Sequence, residues 1–251
     1  MSKRTTKKAP PKKKSAITNS TNRDDSSEIA FQKIKQMMYR NELSPGQKVL
    51  YKDLAKKLDM SATPIVNALG RLSELKLVKY ELNRGYFIRA INETELSELF
   101  EAREALETHI LPEVIKRTTS DKLKTINDAF KERVDILSPY HRRLVLMRDL
   151  GLHLKIIEIA QNNVLKTILK EVFERIYLGY KPEYLLNERI NVAVKEHRSI
   201  MDAIEKKDVA GAVENARKHI QNSLAYMIKG IHREETISKE YDKISSIETI
   251  G

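Results

Sequence analysis

The 251-residue chain has no cysteine and no tryptophan, and only eight glycines. Without cysteine there is no disulfide framework, no thiolate metal site, no Fe–S cluster and no thiol nucleophile. Any metal must be held by His, Asp or Glu. No stretch approaches the ~18 consecutive apolar residues of a membrane span. The basic N-terminus, MSKRTTKKAPPKKK, has no apolar segment behind it and does not read as a secretory signal. A soluble cytoplasmic protein is therefore expected. HExxH, Glu-x-x-His, GxSxG and phosphate-loop motifs are also absent. What remains is 41% apolar residues, enough for a buried core, in a length that suggests about two domains.

The net charge is +11, and it is unevenly placed. Residues 1–27 carry +6 and residues 28–92 another +6, while the rest of the chain is close to neutral at −1. All the excess positive charge lies in the first third. This is the footprint of a polyanion-binding segment joined to a neutral domain.

The chain divides into four stretches. Residues 1–27 are Lys, Ser, Thr, Asn and Pro with little apolar content, and are expected to be a disordered basic tail. Lys3 to Lys14 in it read either as a non-specific DNA-contacting arm or as a solvated tail. Residues 28–92 read as helix, turn at Ser44-Pro45-Gly46, short helix from Lys52 to Leu58, second helix from Ser61 to about Leu75, and a β-hairpin. The hairpin shows in the alternation of Val78, Tyr80 and Leu82, the turn Asn83-Arg84-Gly85, and the return Tyr86-Phe87-Ile88. Residues 93–234 show six helical segments separated by short breaks, the plan of an antiparallel helical bundle. Residues 235–251 are expected to be a loose tail or a short extra helix. The fold class is mainly α: an N-terminal winged helix-turn-helix and a C-terminal all-α bundle.

In a winged helix-turn-helix the second helix of the pair enters the major groove and the hairpin reaches an adjacent groove or backbone. Lys52, Lys56 and Lys57 would supply phosphate contacts. The local charge argues against a purely protein-binding winged helix. The run LSPGQKVLYKDLAKKLDMSATPIVNALGRLSELKLVKYELNRGYFI resembles the DNA-binding domain of the GntR family of bacterial transcription regulators. The matching features are PG before the helix pair, LAKKLDMS, the TP dipeptide, AL-x-RL, and RG in the wing. The resemblance implies that Ser61, Thr63, Pro64, Asn67 and Arg71 lie on or beside the DNA-facing helix, and that the wing uses Arg84, Gly85 and Tyr86. There is a departure. Where the family pattern is S-R-T-P-V-R-E-A-L, this chain has S-A-T-P-I-V-N-A-L, so two arginines are replaced by Ala62 and Val66. Arginine is the bidentate reader of guanine, and Asn67 adds an adenine reader, so an altered, A·T-leaning preference is expected.

The bundle carries four polar residues on stripes that should face its core. Asp149 and His153 sit at i, i+4 among Leu146, Ile157 and Ala160. His197 lies among Ile190, Val194, Met201 and Ile204, and His219 among Ala212, Ala216, Ser223 and Met227. Burying three imidazoles and a carboxylate without a partner is costly, and a shared divalent ion such as Zn²⁺, Ni²⁺ or Mn²⁺ removes the cost. His109, His141 and His232 fall outside the pattern and read as surface residues. This region resembles the FCD ligand-sensing domain attached to many GntR regulators of the FadR/VanR-like kind. The motifs are ELFEAREALE, D-x3-H in RDLGLHLKIIEIAQN, EHRSIMDAIEKKD, and A-x2-H in ENARKHI. The resemblance implies a metal held by Asp149, His153, His197 and His219, with a small carboxylate effector beside it. By motif position Arg103 would clamp that acid, or else form a surface pair with Glu107. Asn162 would cap a helix or line the pocket.

The expected function is a ligand-responsive transcription regulator, not an enzyme, acting as a homodimer on a palindromic double-stranded DNA operator. The alternative is a metal-dependent helical-bundle enzyme. The basic head would then have no role.

Overall fold

The computed structural model describes residues 18–134 and 142–248. The first unit runs α1 (Thr18–Tyr39), β1 (Lys48–Val49), α2 (Tyr51–Leu58), α3 (Ala62–Glu74), β2 (Val78–Glu81) and β3 (Gly85–Ile88). α2 stops at Asp59, whose left-handed backbone turns the chain into α3. The strands form an antiparallel sheet in the order β1-β3-β2. β1 is two residues long and shows no alternation in the sequence, so it becomes visible only as a partner of Tyr86 and Phe87. Ile34, Met38, Leu54, Ile65, Leu69, Leu72 and Ile88 make one buried core. This is a winged helix-turn-helix.

The second unit contains α4 (Glu93–Arg117), α5 (Ser120–Val134), α6 (Arg142–Glu158), α7 (Asn163–Gly179), a 3-10 turn at Pro182–Tyr184, α8 (Asn187–Glu205) and α9 (Val209–Glu248). Caps start these helices where the sequence offers them. Asn92 accepts from Glu95 N (2.8 Å), and Asp208 accepts from Gly211 N (2.9 Å). The stripes expected to face inward do so: Leu146, Asp149, His153, Ile157, Ala160, His197, Met201, Ile204, Ala212, Ala216, His219 and Met227 are all buried. His141 lies outside the described residues.

Two expectations are corrected. The stretch taken as a disordered tail is helical from Thr18. Its lack of apolar residues matters less than its attachment to a docked helix, because propagation from an existing turn adds a hydrogen bond for each residue fixed. Ser27 is itself buried. At the other end α9 continues to Glu248, so the stretch expected to be a loose tail or a short extra helix is helical and belongs to α9. Nothing after Gly230 breaks a helix, and Lys181–Glu234 (3.0 Å) and His232–Glu93 (2.6 Å) hold its course.

The two units are tightly joined. Leu178 of α7 belongs to the core of the first unit, and Met147 of α6 packs against both cores. Lys35 of α1 forms an ion pair with Glu174 of α7 (2.8 Å), with side-chain exposures of only 11% and 4%. The Tyr39 hydroxyl also donates to Glu174. Arg143 of α6 donates to the carbonyls of Tyr177 and Tyr180 and to Asn41 Oδ1 (3.1 Å). Removing one partner of a buried pair strands the other charge. Glu174→Ala should therefore destabilise the protein by about 3 kcal/mol, read by chemical denaturation. A loss below the error of the measurement would show that Lys35 finds water once Glu174 is gone.

Candidate metal centre and DNA-binding face

Asp149 and His153 on α6, His197 on α8 and His219 on α9 converge. One ligand atom from each lies within 4.8 Å of all the others, and all four residues are buried. His153 Nε2 is 3.0 Å from His197 Nε2 and 3.7 Å from Asp149 Oδ2, and His197 Nε2 is 3.5 Å from Asp149 Oδ1.

Two further carboxylates aim these rings. Glu107 lies 2.6 Å from His153 Nδ1, and Glu196 lies 2.8 Å from His219 Nδ1. An ionised carboxylate only accepts, so each Nδ1 carries a hydrogen and each ring turns its Nε2 to the centre. Each carboxylate is in turn held by an arginine: Glu107 by Arg103 (2.5 Å) and Glu196 by Arg189 (2.8 Å). The Tyr177 hydroxyl donates to Asp149 Oδ2 (2.5 Å). The donor set is three imidazole nitrogens and one carboxylate oxygen, with His153 and His219 already oriented by their carboxylates. Its chemistry fits a divalent cation.

The electrostatics agree. Burial would raise the Glu107 carboxyl, but Arg103 and His153 hold it down at about 2. Burial, and then the charge of Arg103, push His219 well below its ordinary 6.5, so the ring is neutral and able to donate a lone pair at neutral pH. Burial and the neighbouring Asp149 raise Tyr177, which stays a protonated donor.

A cavity of about 40 Å³ opens beside the cluster. Asp149, Tyr177, Arg189, His219, Ser223 and Tyr226 give it its polar lining. Arg103 is not among the lining residues. Its guanidinium is fully buried and is shared among Glu107, Tyr177 Oη (3.3 Å), His153 Nε2 (3.0 Å) and His219 Nε2 (3.4 Å). The i, i+4 pair with Glu107 is therefore a buried strut, not a surface pair. Asn162 is corrected as a pocket residue. It is exposed and caps α7 by accepting from Leu165 N (3.0 Å). His109 and His232 are exposed, as expected. Sequence reasoning missed Arg189, Glu196 and Tyr177. It also left Glu107 on the surface, although Leu96, Leu99, Phe100, Arg103, Glu107 and Ile110 form one buried helical stripe that marked it as inward.

On the first unit, Lys52, Lys56, Ser61 and Thr63 are exposed along α2 and the start of α3, while Pro64 is buried inside the first turn. Lys57 pairs with Glu42 (2.9 Å). Asn67 donates to Ser27 Oγ (3.3 Å), and Arg71 pairs with Glu28 (2.6 Å) and lies over the Phe31 ring (4.3 Å). Both expected DNA-facing side chains thus contact α1. In the wing, Glu81 pairs with Arg84 and with Lys79 (2.6 Å), the rings of Tyr86 and Tyr80 meet at a tilt with centroids 5.0 Å apart, and Gly85 takes a positive φ of 91° at the turn.

Residues 26–88 match the family model for bacterial regulatory proteins of the gntR family, and residues 98–222 match the FCD domain. This chain belongs to the GntR family of transcription regulators. The solved structure of McbR/YncC from E. coli is similar at 17% identity and a TM-score of 0.72, covering 81% of this chain and 97% of that one. A putative GntR regulator from Rhodococcus sp. RHA1 is similar at 18% identity and a TM-score of 0.72, covering 82% and 98%. In sequence, the uncharacterised regulator YdhC of Bacillus subtilis is 21% identical over 78% of this chain and 88% of its own length. The families and relatives are transcription regulators, not enzymes, so this GntR protein is a regulator and the enzyme reading falls away.

The depressed His219 and Glu107 values set the acid limb of stability. A group whose folded value is depressed contributes fully above its ordinary value and loses that contribution as the pH falls. Metal-free protein should therefore lose thermal stability progressively below pH 6.5, with Glu107 extending the loss from 4.5 towards about 2. Melting curves across this range, with a His219→Gln variant showing a flatter limb near pH 6, would check it.

Proposed function

We propose that this GntR regulator is a homodimeric sensor that binds one divalent ion at Asp149, His153, His197 and His219 and responds to a small organic acid bound beside it. The observation that carries the reading is the convergence of those four side chains, with Glu107 and Glu196 orienting two of the rings. When bound, the ion supplies a positive charge that a carboxylate can neutralise. Four protein donors fill a tetrahedral ion, so an acid that also ligates favours an ion with more positions, such as Mn²⁺ or Ni²⁺. Arg189, Tyr226 and Ser223 line the cavity where the acid would lie, and Arg103 reaches the centre-facing Nε2 atoms of His153 and His219.

The DNA-binding unit would use Lys52 and Lys56 on phosphates and the exposed start of α3 on bases. A dimer presents two such heads to paired half-sites. The effector can alter DNA affinity only through its different affinity for two arrangements of the heads.

Native mass spectrometry of freshly purified protein tests the core of the reading. The expected species is a dimer with one ion per chain. His197→Ala should cut metal affinity at least 10-fold, in line with loss of a first ligand, and should abolish the rise in melting temperature on metal addition. A variant that keeps stoichiometric metal would show that these histidines are ordinary core residues.

Affinity for duplex DNA should fall steeply with salt, because each phosphate contact releases counterions. Charge reversal at Lys52 and Lys56 should weaken binding across all sequences alike and flatten the salt slope. Fluorescence anisotropy on duplexes of unrelated sequence reads both effects.

A further inference from the structure

The recognition helix has two side chains able to read a base through paired hydrogen bonds, and both are engaged within the chain. Asn67 gives an amide hydrogen to Ser27, and Arg71 is clamped between Glu28 and the Phe31 ring. Both lie on the edge of α3 that meets α1. The remaining exposed arc holds Ala62, Thr63 and Val66, and Val66 is 37% exposed. Neither a cation nor a side-chain amide is among these three. Gly70 continues the arc, and a Cβ built there meets nothing within 4 Å. The chain's own packing gives no reason for a glycine inside this helix. Its effect is to leave the backbone open to close approach from outside.

We propose that α3 reads its operator through the 5-methyl groups of thymine, contacted by Ala62, Thr63 and Val66. The inference rests on the DNA-binding reading above and specifies its ligand. In the major groove only thymine presents a methyl group, and alkyl side chains are its natural partners. Guanine would need a forked donor, and this arc has none. Affinity comes from Lys52 and Lys56 on the phosphates, which leaves the helix free to select by apolar contact. Gly70 lets the helix seat closely enough for short side chains to reach the base edges.

The test uses the full-length protein and a random-sequence duplex pool, selected by repeated retention at moderate salt. The expected core of each half-site is A·T-rich. The selected duplex is then remade with uracil replacing thymine in that core, which deletes the methyl groups and keeps every hydrogen-bonding group. Binding should weaken by roughly 5-fold or more per half-site, the size of one good base contact. Val66→Ala should lose most of the distinction between thymine and uracil. A guanine-centred core, or equal binding of the thymine and uracil duplexes, overturns the proposal and leaves DNA binding standing. Failure to retain any duplex at low salt overturns the DNA-binding reading as well.

Discussion

An apolar helical bundle that encloses three imidazoles and a carboxylate has one problem that governs the rest of its design: each polar atom inside must meet a partner. The partners are built outward in layers. Glu107 and Glu196 satisfy two ring nitrogens, Arg103 and Arg189 satisfy those carboxylates, and Tyr177 satisfies Asp149. Breaking any one link leaves a charge or a donor uncompensated in a low-dielectric interior, where such groups cost most. The network therefore specifies which way α4, α6, α7, α8 and α9 face.

The same network reaches the DNA-binding unit through α7. Along a little more than one turn, Glu174 meets Lys35 and Tyr39, Tyr177 holds Asp149, and Leu178 enters the core of the first unit. Side chains so close on one helix turn together. Arg143 adds a second tie, since it sits on the helix that carries Asp149 and His153 and grips both the end of α7 and Asn41. The Asp149–His153–His197–His219 cluster and the head are thus parts of one packed body and not two domains in loose contact.

Periodicity made most of this legible. The stripes around Asp149, His153, His197 and His219 had a strict helical repeat with apolar neighbours, so the four converging side chains could be named from spacing alone. Glu196 could not. It is adjacent to His197 and falls off the stripe, and only the crossing of α8 with α9 brings it to His219. For Arg71 and Asn67 the family resemblance implies a place on or beside the DNA-facing helix. Their engagement depends on the packing of α1 on α3: Ser27, which meets Asn67, lies in the stretch that gave no sign of being helical, and Glu28 and Phe31, which meet Arg71, lie where a helix was expected but its packing partner was not legible. Asn162 shows the opposite limit: a polar residue at a helix start was ambiguous between cap and pocket, and the cap geometry decides it.

The connector between the units is short, and little of it is slack. Arg89 pairs with Glu95, which also pairs with Arg175, and Ile91 N donates to the carbonyl of Gly179 (3.0 Å). A side chain at Gly179 would press on Ile91, with a Cβ 3.2 Å from its own, so the connector lies flush against the end of α7. A head mounted this way has almost no tether length to spend. In a two-fold assembly, the distance between the heads would be a property of helix orientation, with the stiffness of a bracket. Such a pair would measure half-site separation like callipers and tolerate an inserted base pair poorly, whatever letters that base pair carries.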